Sequence, residues 1–248
     1  GCCQRAVQDA ELSLRVLISK VMGALWSRAE STSAKSEPSA GNSAKTVLWL
    51  HGLGDTGAGW KGAFRLPGVQ FQHPTAPRRP VTCNGGMVGT SWFDLKAIPV
   101  MVSEPENPKD MNASVASVHK MLDDLAQSET SADNIILGGF SQGGAVSLLA
   151  GLSYPKKLGG IISISGWCVN RADVKSWISE AGRTTPVLMC CGTGDPVVDI
   201  GITKTSAELL QDALGPTIQV MYPQRYMHQP NAEELRAVTA FMKKNLSL

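Results

Sequence analysis

Ser141 lies among four glycines in the stretch NIILGGFSQGGAVSLLA, residues 134–150. Gly139, Ser141 and Gly143 fit the spacing G-x-S-x-G, between an apolar strand-like run and a helix-like run. In that motif the serine occupies a sharp, strained strand-to-helix turn that exposes its hydroxyl, and small residues on either side keep strand and helix from colliding. The spacing therefore predicts Ser141 as a nucleophile. A tight turn with an N-capping serine is the alternative.

A serine hydroxyl is a weak nucleophile and needs an adjacent base, which is most often a histidine. The chain has four of them: His51, His73, His119 and His228. His119 lies within a predicted helix and is interpreted as a surface residue, while His73 precedes a proline in a turn-like segment. His228 follows the last predicted strand, which is where folds with the G-x-S-x-G motif place their base. We therefore predict His228 as the general base.

The base needs an acid that orients it, and the chain order Ser…Asp…His places that acid between residues 141 and 228. The segment GTGDPVVD offers two carboxylates, Asp195 and Asp199, directly after a predicted strand. Asp195 is preferred because it is nearer to the strand end. An aspartate in a turn before proline is the structural alternative.

Attack on a carbonyl also needs hydrogen-bond donors for the developing oxyanion. One predicted donor is the backbone N–H of Gln142, which follows the nucleophile. The second is expected from the glycine-rich loop WLHGLGDTGAGW, residues 49–60, where Leu53 is the best candidate. His51 is expected to hold this loop by hydrogen bonds.

Alternating strand and helix patterns must position these residues. The last helix is predicted to begin after Asn231, which forms a capping box with Glu234. Such alternation predicts an α/β fold, a single domain with a mostly parallel sheet and helices on both faces. Strands are predicted over 46–50, 69–74, 134–139, 159–166, 186–191 and 217–222, and helices over about 111–127, 142–153, 171–181 and 202–214.

Composition excludes several classes of function. The net charge of +2 and the lack of dense Lys/Arg clusters predict no nucleic-acid partner. No apolar run approaches the ~20 residues that span a bilayer, and the start does not have the pattern of a secretory signal. The six cysteines lack paired zinc-site spacing, so reduced thiols and a cytoplasmic location are expected.

The first 44 residues differ from the rest and are interpreted as an amphipathic helix plus a flexible Ser/Ala-rich linker. The catalytic domain is predicted over 45–248. Gly1, Cys2 and Cys3 form a partial acylation signal, with Arg5 standing where the usual pattern has Ser or Thr. Acylation there would bring the enzyme to membranes.

Six segments together resemble the acyl-protein thioesterases, in the phospholipase/carboxylesterase branch of the α/β-hydrolases. They are HGLGDTGAGW, PTAPRRPVT with SWFDL, IILGGFSQGGA, GTGDPVV and the late MH, within about residues 45–246. The resemblance implies an α/β-hydrolase fold and hydrolysis of S-palmitoyl thioesters on protein cysteines, with some action on lysophospholipids and small esters. By position it implies Ser141, Asp195 and His228 as the triad, and the Leu53 and Gln142 amides as the oxyanion hole.

The chain departs from that family next to the base. The family usually has a serine after the histidine and a glycine shortly before it, whereas here Gln229 follows and Gln-Arg-Tyr-Met precedes. No triad atom is lost by this difference.

An acyl-thioester substrate needs an apolar groove beside the triad. We expect Trp167 to be exposed in the site because it follows a predicted strand at its carboxyl end. Met87 and Val88 lie in a predicted glycine-flanked loop, and Trp92 is equally well explained by core packing. The predicted groove residues are Leu53, Met87, Val88, Trp92 and Trp167.

Three other functions remain open from the sequence. The same triad would serve a carboxylesterase or lysophospholipase acting on oxygen esters. A non-catalytic ligand-binding protein and an anchored scaffold that acts through its N-terminal helix are the further alternatives. The proposed chemistry needs no metal and no cofactor. S-palmitoylated proteins are the expected partners, with the enzyme itself a monomer or a weak dimer.

Overall fold

The computed structural model describes residues 44–103, 108–127, 130–224 and 227–248. The predicted N-terminal helix and linker and the acylation signal at Gly1, Cys2 and Cys3 lie outside these residues. Within the described ranges, no helix is long and apolar enough to cross a membrane.

A six-stranded sheet forms the centre of the fold. Its strands are β1 (Lys45–Leu50), β2 (Val69–Gln72), β5 (Ile135–Phe140), β6 (Gly160–Ile164), β7 (Val187–Cys190) and β8 (Ile218–Met221). They are ordered β2-β1-β5-β6-β7-β8, and every neighbouring pair is parallel. The predicted parallel sheet is confirmed.

Helices cover both faces of this sheet, as predicted. They are α1 (Pro108–Gln127), α2 (Gln142–Ser153), α3 (Val174–Trp177), α4 (Ile200–Leu214) and α5 (Ala232–Asn245). Side chains of α1, α2 and α4 pack on one face, and α5 packs on the other. Strand alternation explains the two cores: in β1, Leu48 and Leu50 face the first core, whereas Val47 and Trp49 face the second.

Two local predictions need correction. The helix expected over 171–181 is only the short α3, preceded by a 3₁₀ turn at Arg171–Asp173. The segment around Met87 and Val88 is not a simple loop, because β3 (Arg78–Pro80) pairs antiparallel with β4 (Val88–Thr90). These strands are too short to give a clear alternation of apolar and polar residues.

The predicted start of α5 is confirmed. The Asn231 side chain accepts a hydrogen bond from the Glu234 amide, and the Glu234 carboxylate accepts one from the Asn231 amide, each at 2.9 Å. This reciprocal pair satisfies two amide donors at the end of the helix. It fixes where the chain enters α5, shortly after His228.

Candidate active site

Ser141 occupies the single residue between β5 and α2. Its backbone has φ 54° and ψ −121°, in a region that non-glycine residues rarely adopt. The Ser141 amide donates to the Ile164 carbonyl oxygen at 2.8 Å, and the Ser141 carbonyl oxygen accepts from the Ala145 amide at 3.0 Å. The strained turn is therefore held from both sides, by the end of β6 and by the first turn of α2.

The flanking glycines are required by close backbone contacts. A Cβ added at Gly139 would lie 2.4 Å from the carbonyl carbon of Gly143, and one added at Gly143 would lie 2.2 Å from the carbonyl oxygen of Leu50. Either contact is far shorter than a normal van der Waals distance. The sequence-based reason for these glycines is confirmed.

Asp195 and His228 form a hydrogen-bonded pair. His228 Nδ1 lies 2.8 Å from Asp195 Oδ2 and 3.0 Å from Asp195 Oδ1. Asp195 follows β7, and its Oδ1 also accepts from the amides of Val197 at 2.9 Å and Val198 at 3.1 Å. Because Nδ1 faces the carboxylate, Nε2 is the ring nitrogen that remains for proton transfer.

The protein keeps the Asp195 carboxylate ionised. Burial alone would raise its pKa, but the hydrogen bond and charge of His228, together with the Val197 and Val198 amides, outweigh burial and lower the pKa below its ordinary value. A carboxylate that stays charged can fix the imidazole orientation and stabilise an imidazolium.

His228 lies beside the turn that carries Ser141. Its ring centroid is 4.7 Å from that of Phe140, the residue before the serine. The structure thus gathers Ser141, Asp195 and His228 at the carboxyl end of the sheet, where α/β folds place their reactive groups.

Asp199, the other acid considered from the sequence, has a different role. It is the N-cap of α4, and its Oδ1 accepts from the Gly201 amide at 2.7 Å. The structure therefore distinguishes the two carboxylates, one paired with an imidazole and the other capping a helix.

The loop after β1 approaches the serine closely. A Cβ added at Gly52 would lie 3.4 Å from the Ser141 Cβ. The amides of Gly54 and Asp55 donate within the protein, to the carbonyl oxygens of Thr90 and Gly52. The half-buried Leu53 directly precedes Gly54, and its amide has no acceptor among the residues that the structure describes. This leaves the Leu53 amide available as an oxyanion donor, next to the first amides of α2, which have no partner within the helix.

His51 holds this loop, as the sequence predicted. It is fully buried, and its Nε2 accepts from the Ala76 amide at 3.0 Å, so its Nδ1 carries the proton and donates to the Gly52 carbonyl oxygen at 2.7 Å. Burial lowers the pKa of His51 from its ordinary value of 6.5, although the Gly52 carbonyl and Asp55 oppose this. His51 is therefore a neutral structural residue.

The side chain of Gln142 has a function that the sequence did not reveal. It is completely buried and clamps the segment Ser91–Phe93. Its Oε1 accepts from the Trp92 amide at 2.9 Å, and its Nε2 donates to the Phe93 carbonyl oxygen at 2.7 Å. Because Gln142 and its partners Trp92 and Phe93 are about 50 residues apart in the chain, no local sequence pattern predicts this contact.

Two predicted groove residues are part of the core. Trp92 is 1% exposed, and its indole N–H donates to the His51 carbonyl oxygen at 2.9 Å. Trp167 is 4% exposed and packs edge-on against Phe93, so the expectation that it is exposed in the site is wrong. A strand end places the backbone at the site, but the side chain can still turn into the core.

The other predicted groove residues are accessible. Met87 is 63% exposed and Val88 is 54% exposed, and Leu53 is half-buried. The Thr90 hydroxyl donates to the Asp55 carbonyl oxygen at 2.6 Å, which connects β4 to the loop after β1. The Met87–Val88 turn therefore belongs to a hairpin attached to the predicted oxyanion loop.

A further segment contacts the loop that carries the acid. The Val100 amide donates to the Val197 carbonyl oxygen at 2.8 Å, and the Asp199 amide donates to the Val100 carbonyl oxygen at 3.0 Å. Ile98, Met101 and Val102, by contrast, are exposed. An apolar surface segment is thus attached by its backbone to the residues that surround Asp195.

The parallel sheet, the strained serine turn and the Asp–His pair define an α/β-hydrolase fold with the site of a serine hydrolase. Residues 32–246 match the phospholipase/carboxylesterase family, and the chain belongs to that family.

Named relatives fall into two groups within this family. The chain is 37% identical to acyl-protein thioesterase 1 of Gibberella zeae over 84% of its length and 94% of the relative. It is 33% identical to carboxylesterase SOBER1 of Arabidopsis thaliana over 81% of its length and 90% of the relative. The crystal structure of SOBER1 superposes with a TM-score of 0.77, covering 82% of this chain and 99% of that one. Acyl-protein thioesterase 2 of Zea mays has a TM-score of 0.73 at 28% identity, covering 85% and 97%.

Proposed function

We propose that this serine hydrolase removes S-palmitoyl groups from protein cysteines, with Ser141 as nucleophile, His228 as base and Asp195 as the orienting acid. The observation that carries the proposal is the Asp195–His228 hydrogen bond, 2.8 Å long and located beside the serine turn. A buried carboxylate, an imidazole and a strained serine in this order perform acyl transfer.

The reaction has two halves. His228 Nε2 takes the Ser141 proton while Oγ bonds to the thioester carbonyl carbon, and the Leu53 and Gln142 amides stabilise the oxyanion. The C–S bond then breaks, His228 gives its proton to the leaving sulfur, and the substrate cysteine departs as a thiol. In the second half His228 takes a proton from water, the water oxygen bonds to the acyl carbon, and Oγ recovers its proton as the fatty acid leaves.

Leu53, Met87 and Val88 form the remaining acyl contact surface in this proposal. An acyl chain of palmitoyl length gains free energy by covering exposed apolar side chains, and Met87 and Val88 are the accessible ones on the hairpin attached to the oxyanion loop. S-palmitoylated proteins are membrane-bound, and we place the enzyme in the cytoplasm, where it meets them at the membrane surface.

The alternative is a carboxylesterase or lysophospholipase that uses the same residues on oxygen esters. The 33% identity to a protein named carboxylesterase favours it, as the 37% identity to a protein named acyl-protein thioesterase favours the proposal. The triad serves both reactions equally, so the leaving group has to be tested directly.

The test compares a palmitoyl thioester peptide with the matched oxygen-ester peptide, for the wild type and for Ser141→Ala. We expect a kcat/KM at least about 100-fold higher for the thioester, and loss of both activities in the variant. Equal turnover of the two esters would support the carboxylesterase. A Ser141→Ala variant as active as the wild type would refute the triad itself.

A further inference from the structure

Phe140 ends β5 and contacts three parts of the site, although its side chain carries no reactive group. Its ring lies 4.7 Å from the His228 ring and 5.6 Å from the Trp60 ring, measured between centroids. A Cβ added at Gly52 would lie 3.3 Å from the Phe140 Cδ1. The same side chain therefore touches the base, the loop after β1 and the aromatic core.

The imidazole of His228 needs a second support. Its hydrogen bond to Asp195 fixes Nδ1, but a single nitrogen facing both carboxylate oxygens leaves the ring free to pivot about that contact. Within residues 227–230, the Gln229 amide donates to the Met227 carbonyl oxygen at 2.9 Å. A side chain packed against the face of the imidazole opposes the pivoting that the contact with Asp195 leaves open.

The ring of Phe140 is suited to that task because it is itself held in place. Its ring packs against Trp60, and Trp60 packs against Trp49 with centroids 5.1 Å apart. Trp49 is fully buried, and a Cβ at Gly138 would lie 2.6 Å from its ring. A continuous set of aromatic contacts therefore connects the core to the base. Positions 136, 138 and 140 share one face of β5, and the absence of a side chain at Gly138 leaves room for the Trp49 ring beside Phe140.

We infer that Phe140 is a positioning residue that sets the plane of the His228 ring and aims Nε2 at the Ser141 hydroxyl. The inference rests on the proposed function, since it assigns the role of base to His228. Small errors in the position of a catalytic group cost large factors in rate, so removing the ring slows the chemical step more than it weakens substrate binding.

The experiment uses the whole protein and two readouts. One is the rate at which a fluorophosphonate labels Ser141, which reports activation of the serine by its base. The other is kcat and KM for p-nitrophenyl butyrate. For Phe140→Leu we expect labelling and kcat to fall about tenfold with KM changed less than about twofold. Phe140→Tyr keeps the aromatic ring, so its labelling rate and its kcat should both lie within about threefold of the wild-type values.

Phe71→Leu is the matched control. Phe71 is also partly buried and joins the same aromatic contacts through Phe64, which packs on Trp49 with centroids 4.8 Å apart. Its own ring contacts are with Phe64 at 6.4 Å and with His73 at 6.2 Å, whereas Phe140 contacts His228. Phe71→Leu should leave labelling within about twofold of the wild type while lowering stability as much as Phe140→Leu does.

The outcomes separate this inference from the proposed function. Labelling of Phe140→Leu at the wild-type rate, or equal slowing by Phe71→Leu, would overturn the positioning role while loss of labelling in Ser141→Ala still supports the triad. Labelling and hydrolysis that persist in Ser141→Ala would instead overturn the proposed function.

Discussion

The Gln142 side chain binds the backbone of Trp92 from the position directly after Ser141, with 2.9 Å between Gln142 Oε1 and the Trp92 amide nitrogen. The residue proposed to offer its own amide to the oxyanion thus also fixes the segment that supports the oxyanion loop, because the Trp92 indole donates to the His51 carbonyl oxygen. Gln142, the loop after β1 and the Ser91–Phe93 segment form one hydrogen-bonded unit.

Gln142→Ala should lower the free energy of unfolding by about 2 kcal/mol or more, because it leaves the buried Trp92 amide without its acceptor and removes one of the two donors, Gln142 and Ser91, to the Phe93 carbonyl oxygen. Chemical denaturation measures this change. Gln211→Ala is the control, since Gln211 is exposed on α4 and its substitution should cost less than about 0.5 kcal/mol. Equal losses for both variants would contradict the clamp.

Asp195→Asn should lower kcat by about 10⁴-fold with the fold intact, because a neutral amide neither stabilises the imidazolium nor holds the same tautomer. Asp199→Asn is matched to it in chemistry and lies nearby in the chain. Because asparagine caps helices as well as aspartate does, turnover and stability should stay close to those of the wild type. If Asp199→Asn were the inactive variant, the assignment of the acid would be wrong.

Stability should fall on acidification below pH 6.5, in part because of His51. Burial lowers its pKa in the folded state from the ordinary value of 6.5, which the unfolded chain retains. As the pH falls through 6.5 the unfolded state binds a proton that the folded state does not, so the free energy of unfolding decreases. The loss continues until the folded pKa is reached.

Denaturation of the wild type and of His51→Gln between pH 7.5 and 5.5 checks this, and the variant should show the smaller slope. His73→Gln is the comparison. Burial, assisted by the charge of Lys61, also lowers the pKa of His73, so His73 too should make the protein less stable as the pH falls, and its replacement should also reduce the slope. Parallel profiles for wild type and His51→Gln would mean that His51 does not take up the proton.

Gly143→Ala should destabilise the protein by about 1–3 kcal/mol or more and abolish turnover, because the added Cβ collides with the Leu50 and His51 carbonyl oxygens at 2.2 and 2.6 Å. Thermal unfolding and kcat measure the two effects. Gly89→Ala is the control, since its added Cβ has no atom within 4 Å. A Gly143→Ala enzyme with normal turnover would show that the strand and helix separate easily at this turn.

Replacing Met87 and Val88 together by serine should lower kcat/KM for a palmitoyl thioester about tenfold and leave a butyryl thioester almost unchanged, because only the long chain reaches these side chains. Stability should change little, since both residues are exposed. Leu248→Ser is the control. It removes a comparable exposed apolar side chain, 48% accessible, at the end of the chain, and kcat/KM for both thioesters should stay close to the wild-type values. A uniform loss on both substrates would remove these residues from the acyl contact surface.

Local patterns in the sequence predicted the parts of the site that depend on neighbouring residues. The glycines around Ser141, the capping box of Asn231 and Glu234 and the parallel sheet all follow from short-range rules of backbone geometry, and each is confirmed. Asp195 and His228 were predicted from their places after strands, and the structure brings them within hydrogen-bonding distance.

Tertiary structure decided what depends on partners that are distant in the chain. Whether Trp92 and Trp167 face the groove or the core is set by the packing of neighbouring segments, and both are buried. The Gln142 clamp and the contact of Phe140 with His228 join residues far apart in sequence, so no local pattern reports them. The sequence by itself thus determined the candidate reactive groups and their order in the chain. The fold decided which side chains contact and orient them, because such contacts exist only once the strands are assembled.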